Sequence, residues 1–147
     1  MRTLQTDVVI DASPAEVWAV LVDLERYGQW NPFIVELRGE AVVGARLRAR
    51  MAPPGGRKMA LRPRVTEVRP GEALEWLGHV GVPGLFDGRH RFELRPAGAG
   101  TLFRQREVFT GVLVPALARN IDGPTRRGLE AMNEALKGRV EALAVTG

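Results

Sequence analysis

The apolar residues of this chain repeat with one period through its middle and another through its end, and the change falls at Gly111. From Phe33 to Thr110 they largely alternate with polar residues, the repeat of β-strands. After Gly111 they recur every third or fourth residue: Leu113, Leu117 and Ile121 lead into Leu129, Met132, Leu136, Val140 and Leu143. That spacing predicts a long amphipathic helix with one apolar face, kinked near Gly123-Pro124, where Pro removes a hydrogen bond. A run of strands closed by one long helix calls for an antiparallel sheet against which the helix buries its stripe.

Punctuation divides the rest. Strands are expected over 3–11, 33–38, 45–52, 58–68, 73–80, 87–95 and 101–110, separated by turns such as Pro53-Pro54-Gly55-Gly56 and Pro70-Gly71. Between the first two, Ser13 is placed to cap a helix, Pro14 fits its first position, and Glu16 completes a capping box. A second short helix or turn is expected over 23–29, ended by Gly28 and Pro32. A curved sheet gripping a helix leaves a space between them, the natural ligand site of such an architecture.

The chain has 147 residues, the size of one domain. It contains no cysteine, which removes disulfides, thiolate nucleophiles and cysteine metal sites. No apolar run is long enough to span a bilayer, so membrane insertion is not expected. The first ten residues lack the apolar stretch of a signal peptide, and a cytoplasmic protein is expected. The net charge is +4, and the basic residues are all Arg except Lys58 and Lys137. The arginines alternate with apolar residues, as in Arg46-Leu47-Arg48-Ala49-Arg50-Met51, and read as the solvent faces of strands rather than a nucleic-acid footprint.

Four stretches carry a resemblance. They are Ile10-Asp11-Ala12-Ser13-Pro14-Ala15-Glu16-Val17-Trp18; Tyr27-Gly28-Gln29-Trp30-Asn31-Pro32-Phe33; Pro63 to Val68 with Leu74-Glu75-Trp76; and His90-Arg91-Phe92-Glu93-Leu94 with Gly100-Thr101 and Glu107 to Gly111. In content and order they resemble the START-like, or SRPBCC, superfamily of polyketide cyclase/dehydrase-like and lipid-transfer proteins. The resemblance implies an α+β helix-grip fold over residues 1–147: a curved antiparallel sheet of about seven strands around a long C-terminal helix, with two short helices after the first strand. It also implies a deep cavity for apolar molecules. It supplies no shared catalytic set, because one fold hosts binders, enzymes and regulators.

Alternation assigns the inner face. Phe86, Gly88, His90, Phe92 and Leu94 oppose Asp87, Arg89, Arg91, Glu93 and Arg95; on the next strand Thr101, Phe103, Gln105, Glu107 and Phe109 oppose Leu102, Arg104, Arg106 and Val108. His90 and Glu107 are the two ionisable residues on the apolar side. A turn near Gly98 sets them across from each other. Such a pair reads as a structural hydrogen-bonded pair, a ligand anchor, or a general acid/base couple. Trp30 is placed either at the cavity mouth or in the core, and Trp76 shares that ambiguity. Met51, Met59 and Leu61 form an adaptable apolar wall. Phe86, Phe92, Phe103, Gln105, Phe109, Leu117 and Ile121 complete the expected lining. Gly81 to Gly88 reads as a flexible lid. His79, near a strand end, is expected to be exposed, and the two histidines have no metal-ligand spacing.

The leading expectation is a protein that binds a small hydrophobic ligand, such as a lipid or polyketide, as a monomer or homodimer, with no cofactor. The rival is a polyketide cyclase/aromatase or dehydratase-type enzyme using His90 and Glu107. A protein-interaction module would need a large exposed apolar patch, and the sequence shows no clear one.

Overall fold

The computed structural model describes residues 1–146. β1 (Arg2–Ile10) leads into α1 (Pro14–Leu21) and a 3-10 turn (Leu24–Gln29). Then come β2 (Ile34–Arg38), β3 (Arg48–Met51), β4 (Met59–Leu61), β5 (Arg64–Arg69), β6 (Ala73–Val80), β7 (Phe86–Ala97) and β8 (Gly100–Thr110). Short turns at Pro115–Leu117 and Ala118–Asn120 and a π-helical turn at Ile121–Thr125 enter α2 (Arg126–Thr146). Pro124 sits inside the π turn, where the sequence places the kink.

Local chemistry explains the entry elements. The Ser13 hydroxyl accepts the Glu16 N–H at 3.2 Å, the Glu16 carboxylate accepts the Ser13 N–H at 3.0 Å, and Pro14 opens α1. Asn31 is buried and its side-chain oxygen accepts the N–H groups of Phe33 (2.9 Å) and Ile34 (2.8 Å). One amide thus holds the turn into β2.

The strands are antiparallel, in the orders β1-β8-β7-β6-β5 and β2-β3-β4. This corrects the single sheet of about seven strands: the expected strand over 58–68 is two strands, parted at Pro63. Proline has no N–H for the ladder, so β4 pairs with β3 while β5 pairs with β6. The two pieces stay joined by the Arg46–Arg64 bridge and by the Leu47 N–H on the Pro63 carbonyl at 2.7 Å.

α2 buries Leu129, Met132, Leu136 and Val140 and packs on β1 and α1; Leu143, expected on the stripe, is largely exposed. On the outer face the arginines meet carboxylates. Arg91 reaches Glu67, Glu75 (3.3 Å) and Glu93 (3.2 Å), Arg89 reaches Glu75 at 2.8 Å, and Arg104 reaches Asp7 at 2.8 Å. The inner face is left to apolar side chains and a few buried polar ones, among them His90, Gln105 and Glu107.

Candidate functional site

The inner face of β7 and β8 divides into a solid half and a hollow half. Toward the turn at Gly98, Phe92, Leu94, Thr101 and Phe103 are sealed, and this end packs against α1. The Phe92 and Phe103 rings stack at 5.9 Å. Toward the other end lies a cavity of about 210 Å³. Its walls include Met51, Met59, Leu61, Trp76, Phe86, Phe109, Leu117 and Ile121. Phe86 and Phe109 stack at 5.5 Å. Gly78 on β6 faces Gly88 on β7 in register, and both line the cavity. The missing side chains of this pair leave open the space between the aromatic walls.

His90 and Glu107 stand at the boundary of the two halves, paired in register as expected. His90 Nδ1 lies 3.5 Å from Glu107 Oε2, with the His90 side chain 1% and the Glu107 side chain 10% exposed. The other ring nitrogen, Nε2, is 2.8 Å from Gln105 Oε1. Gln105 is itself fixed: its amide nitrogen donates to the Leu129 carbonyl at 3.0 Å and to Asn133 Oδ1 at 2.7 Å, both on α2. Its oxygen therefore faces His90, and Nε2 must be the donor. In the neutral ring Nδ1 carries no hydrogen and is an acceptor. It is buried and has no hydrogen-bond partner. Burial pushes the Glu107 carboxyl above the ordinary carboxylate range, and His90 beside it pulls part of the way back.

Of the residues expected to line the cavity, ten do: Met51, Met59, Leu61, Trp76, Phe86, His90, Glu107, Phe109, Leu117 and Ile121. Trp30, Phe92, Phe103 and Gln105 do not line it. Trp30 packs on Tyr27 at 5.0 Å, beside the 3-10 turn. Phe92 and Phe103 belong to the solid half, and Gln105 spends its polar atoms on His90 and α2. The cavity has further walls that the sequence expectation omits. Gly78 and Val80 follow from Trp76 by simple alternation, Phe33 opens the expected second strand and Leu113 begins the helical repeat, whereas Pro53 and Arg57 lie between strands and give no periodic signal. Arg57 is exposed and marks the opening.

The Gly81 to Gly88 segment is tied down at its base. Asp87 Oδ1 lies 2.7 Å from His79 Nδ1, and the Gly84 N–H donates to the Asp87 carboxylate at 3.0 Å. His79 holds Asp87 below the ordinary carboxylate range, with the Gly84 amide adding to it. His79 is thus half-buried and paired rather than free in solvent. The Val112 and Leu113 N–H groups donate to the Gly84 and Leu85 carbonyls. Among the described residues, no helix is long and apolar enough to cross a membrane, and no cluster of three or more His, Cys, Asp and Glu is placed to hold a metal ion.

Residues 1–144 match the family model described as polyketide cyclase / dehydrase and lipid transport. The chain belongs to this family. Solved structures similar to this polyketide cyclase/dehydrase and lipid-transport member include a Thermus thermophilus protein (18% identity, TM-score 0.79, 97% of this chain and 99% of that one). A START superfamily protein from Mycobacterium smegmatis matches at 24% identity and TM-score 0.74 over 96% and 98% of the two chains. The Zhui aromatase/cyclase from Streptomyces sp. R1128 matches at 18% identity and TM-score 0.74 over 95% and 93%. At these identities the family member shares their START/Bet v 1-like fold. Among curated proteins no significant match is found.

Proposed function

We propose that the protein binds a small hydrophobic ligand in the cavity between the sheet and the C-terminal segment. The observation that carries this reading is the hollow built by the Gly78–Gly88 pair among Trp76, Phe86 and Phe109. Close-packed interiors tolerate few voids, so a space of about 210 Å³ with aromatic walls and one polar pair is a built feature. The family's description, which includes lipid transport, supports the same reading.

Filling the hollow tests it. Neither glycine has a positive φ, and a Cβ at Gly88 would meet Glu107 Oε2 at 3.4 Å, ordinary contact. Gly88→Val and Gly78→Val occupy the cavity without backbone strain. Binding of naphthalene, followed by its own fluorescence as the folded protein is titrated in, falls at least tenfold in both variants. Undiminished binding places the probe elsewhere and removes the cavity from the function.

A second reading is supported by the 3.5 Å His90–Glu107 approach: a cyclase or dehydratase step. Neutral Nδ1 takes a proton from the carbon beside a ligand carbonyl while protonated Glu107 gives its proton to a leaving hydroxyl, which departs as water. The imidazolium and carboxylate then restore the start by one proton transfer. Turnover of a β-hydroxy ketone by the wild type, lost in both His90→Phe and Glu107→Gln, selects this reading over simple binding.

A further inference from the structure

Resting on the ligand-binding reading above, we infer that the cavity takes a compact aromatic alcohol of one or two rings, with its hydroxyl bridging His90 Nδ1 and Glu107. Two independent observations converge on this class.

The first is size. A cavity of roughly 150 Å³ takes up a single benzene, and drug-sized ligands occupy about 300 Å³ or more. The hollow here is about 210 Å³. One ring fits easily and two fused rings fill it, while a phospholipid or a long folded chain does not fit. The walls match a flat guest: the Phe86–Phe109 stack, Trp76, and the Gly78–Gly88 floor, which carries no side chains.

The second is the donor and acceptor balance at the polar end. The Asn133–Gln105–His90 chain fixes the imidazole so that Nδ1 turns a lone pair toward Glu107. That atom is buried and unpartnered, an unfavourable state until something donates to it. Glu107 Oε2 is close but, at 3.5 Å, too far to be that donor at full strength. Burial favours the protonated carboxyl. An acceptor beside a donor is the complement of an O–H group, which gives its hydrogen to Nδ1 and receives one from Glu107. An ether or a carbonyl has nothing to give Nδ1. A carboxylate brings charge into a desolvated site that already holds an acid.

The test compares 2-naphthol, 2-methoxynaphthalene, naphthalene and 2-naphthoate by calorimetric titration of the intact protein, with cis-parinaric acid as a long-chain probe. The expected result is 2-naphthol tighter than the other naphthalene probes by at least tenfold, with parinaric acid weaker still. Glu107→Gln is the matched variant, because its amide donates to Nδ1 and uses up the free acceptor; the preference for the hydroxyl then disappears while naphthalene binding stays. His90→Phe, if folded by circular dichroism, loses the preference in the same way. Equal affinity for all the naphthalene probes overturns the hydroxyl anchor but leaves the binding reading intact. Tighter parinaric acid overturns the size limit. No binding of any probe overturns the binding reading itself.

Discussion

Gly128 on α2 and Phe33 at the head of β2 are in contact so close that a methyl group does not fit between them: a Cβ on Gly128 would overlap the Phe33 ring, standing 2.9 Å from its Cγ and closer still to Cδ1. Glycine inside a helix costs about 1 kcal/mol relative to alanine, and here that cost secures the approach of helix and ring. Gly128→Ala is therefore expected to lower stability by about 1–3 kcal/mol in denaturant titration, against its helix propensity. Phe33 is also a cavity wall, so the displaced ring lowers apolar-probe affinity. Combining it with Phe33→Leu restores most of the stability. A stabilised single variant would mean that the contact relaxes freely.

The Ser13–Glu16 capping box offers a change far from the cavity. Ser13→Ala should cost about 1 kcal/mol and lower Tm by about 2–4 °C, with ligand-probe affinity unchanged. A change in affinity would show that α1 shapes the hollow half as well as the solid half.

Glu107 behaves oppositely to the surface acids. Its folded-state pKa is raised above the ordinary 4.5, so its contribution to stability is complete below that value and is lost as pH rises through the folded pKa. Asp7 and Glu67 are lowered by Arg104 and Arg91; their contributions stand above the ordinary carboxylate range and are lost as pH falls. Subtracting Glu107→Gln from wild type isolates the buried group. Across urea titrations from pH 4 to 8, the variant gains relative to wild type as pH rises, by about 1.4 kcal/mol for each pH unit by which the pKa is displaced. A pH-independent difference would place the carboxyl in water.

Asp87 governs the loop before β7. Asp87→Ala removes the acceptor of the Gly84 N–H and the partner of His79. Hydrogen exchange at the Gly84, Val112 and Leu113 amides is expected to quicken about tenfold, a loss of roughly 1.4 kcal/mol locally. The β7–β8 amides from His90 to Phe103 keep their protection.

What the sequence made legible was whatever two local rules govern. Turn position near Gly98 set the register that pairs His90 with Glu107, and alternation put both on the inner face. The capping residues located α1. What escaped depends on distant partners. Met59, Leu61 and Val65 continue an apolar pattern straight across Pro63, so the break in the strand left no periodic trace. Gln105 sits on the inner face by alternation, but its true partners, Leu129 and Asn133, are set by where α2 comes to rest. Phe92 and Phe103 share a face with Phe86 and Phe109; only the position of α1 decides which pair is sealed and which borders a void.

The interruption at Pro63 gives the sheet edges in the middle as well as at its ends. Beyond Leu77, the residues Gly78, His79 and Val80 of β6 pair with β7 on one side and with no strand on the other; β4 likewise pairs with β3 alone. Two unladdered margins thus face each other beside the cavity, with Leu61, Pro63 and Gly78 between them. Strand margins are the places where a sheet accepts or releases a neighbour at least expense. No ladder of main-chain bonds crosses between these margins, so side-chain packing alone closes the wall of the cavity there.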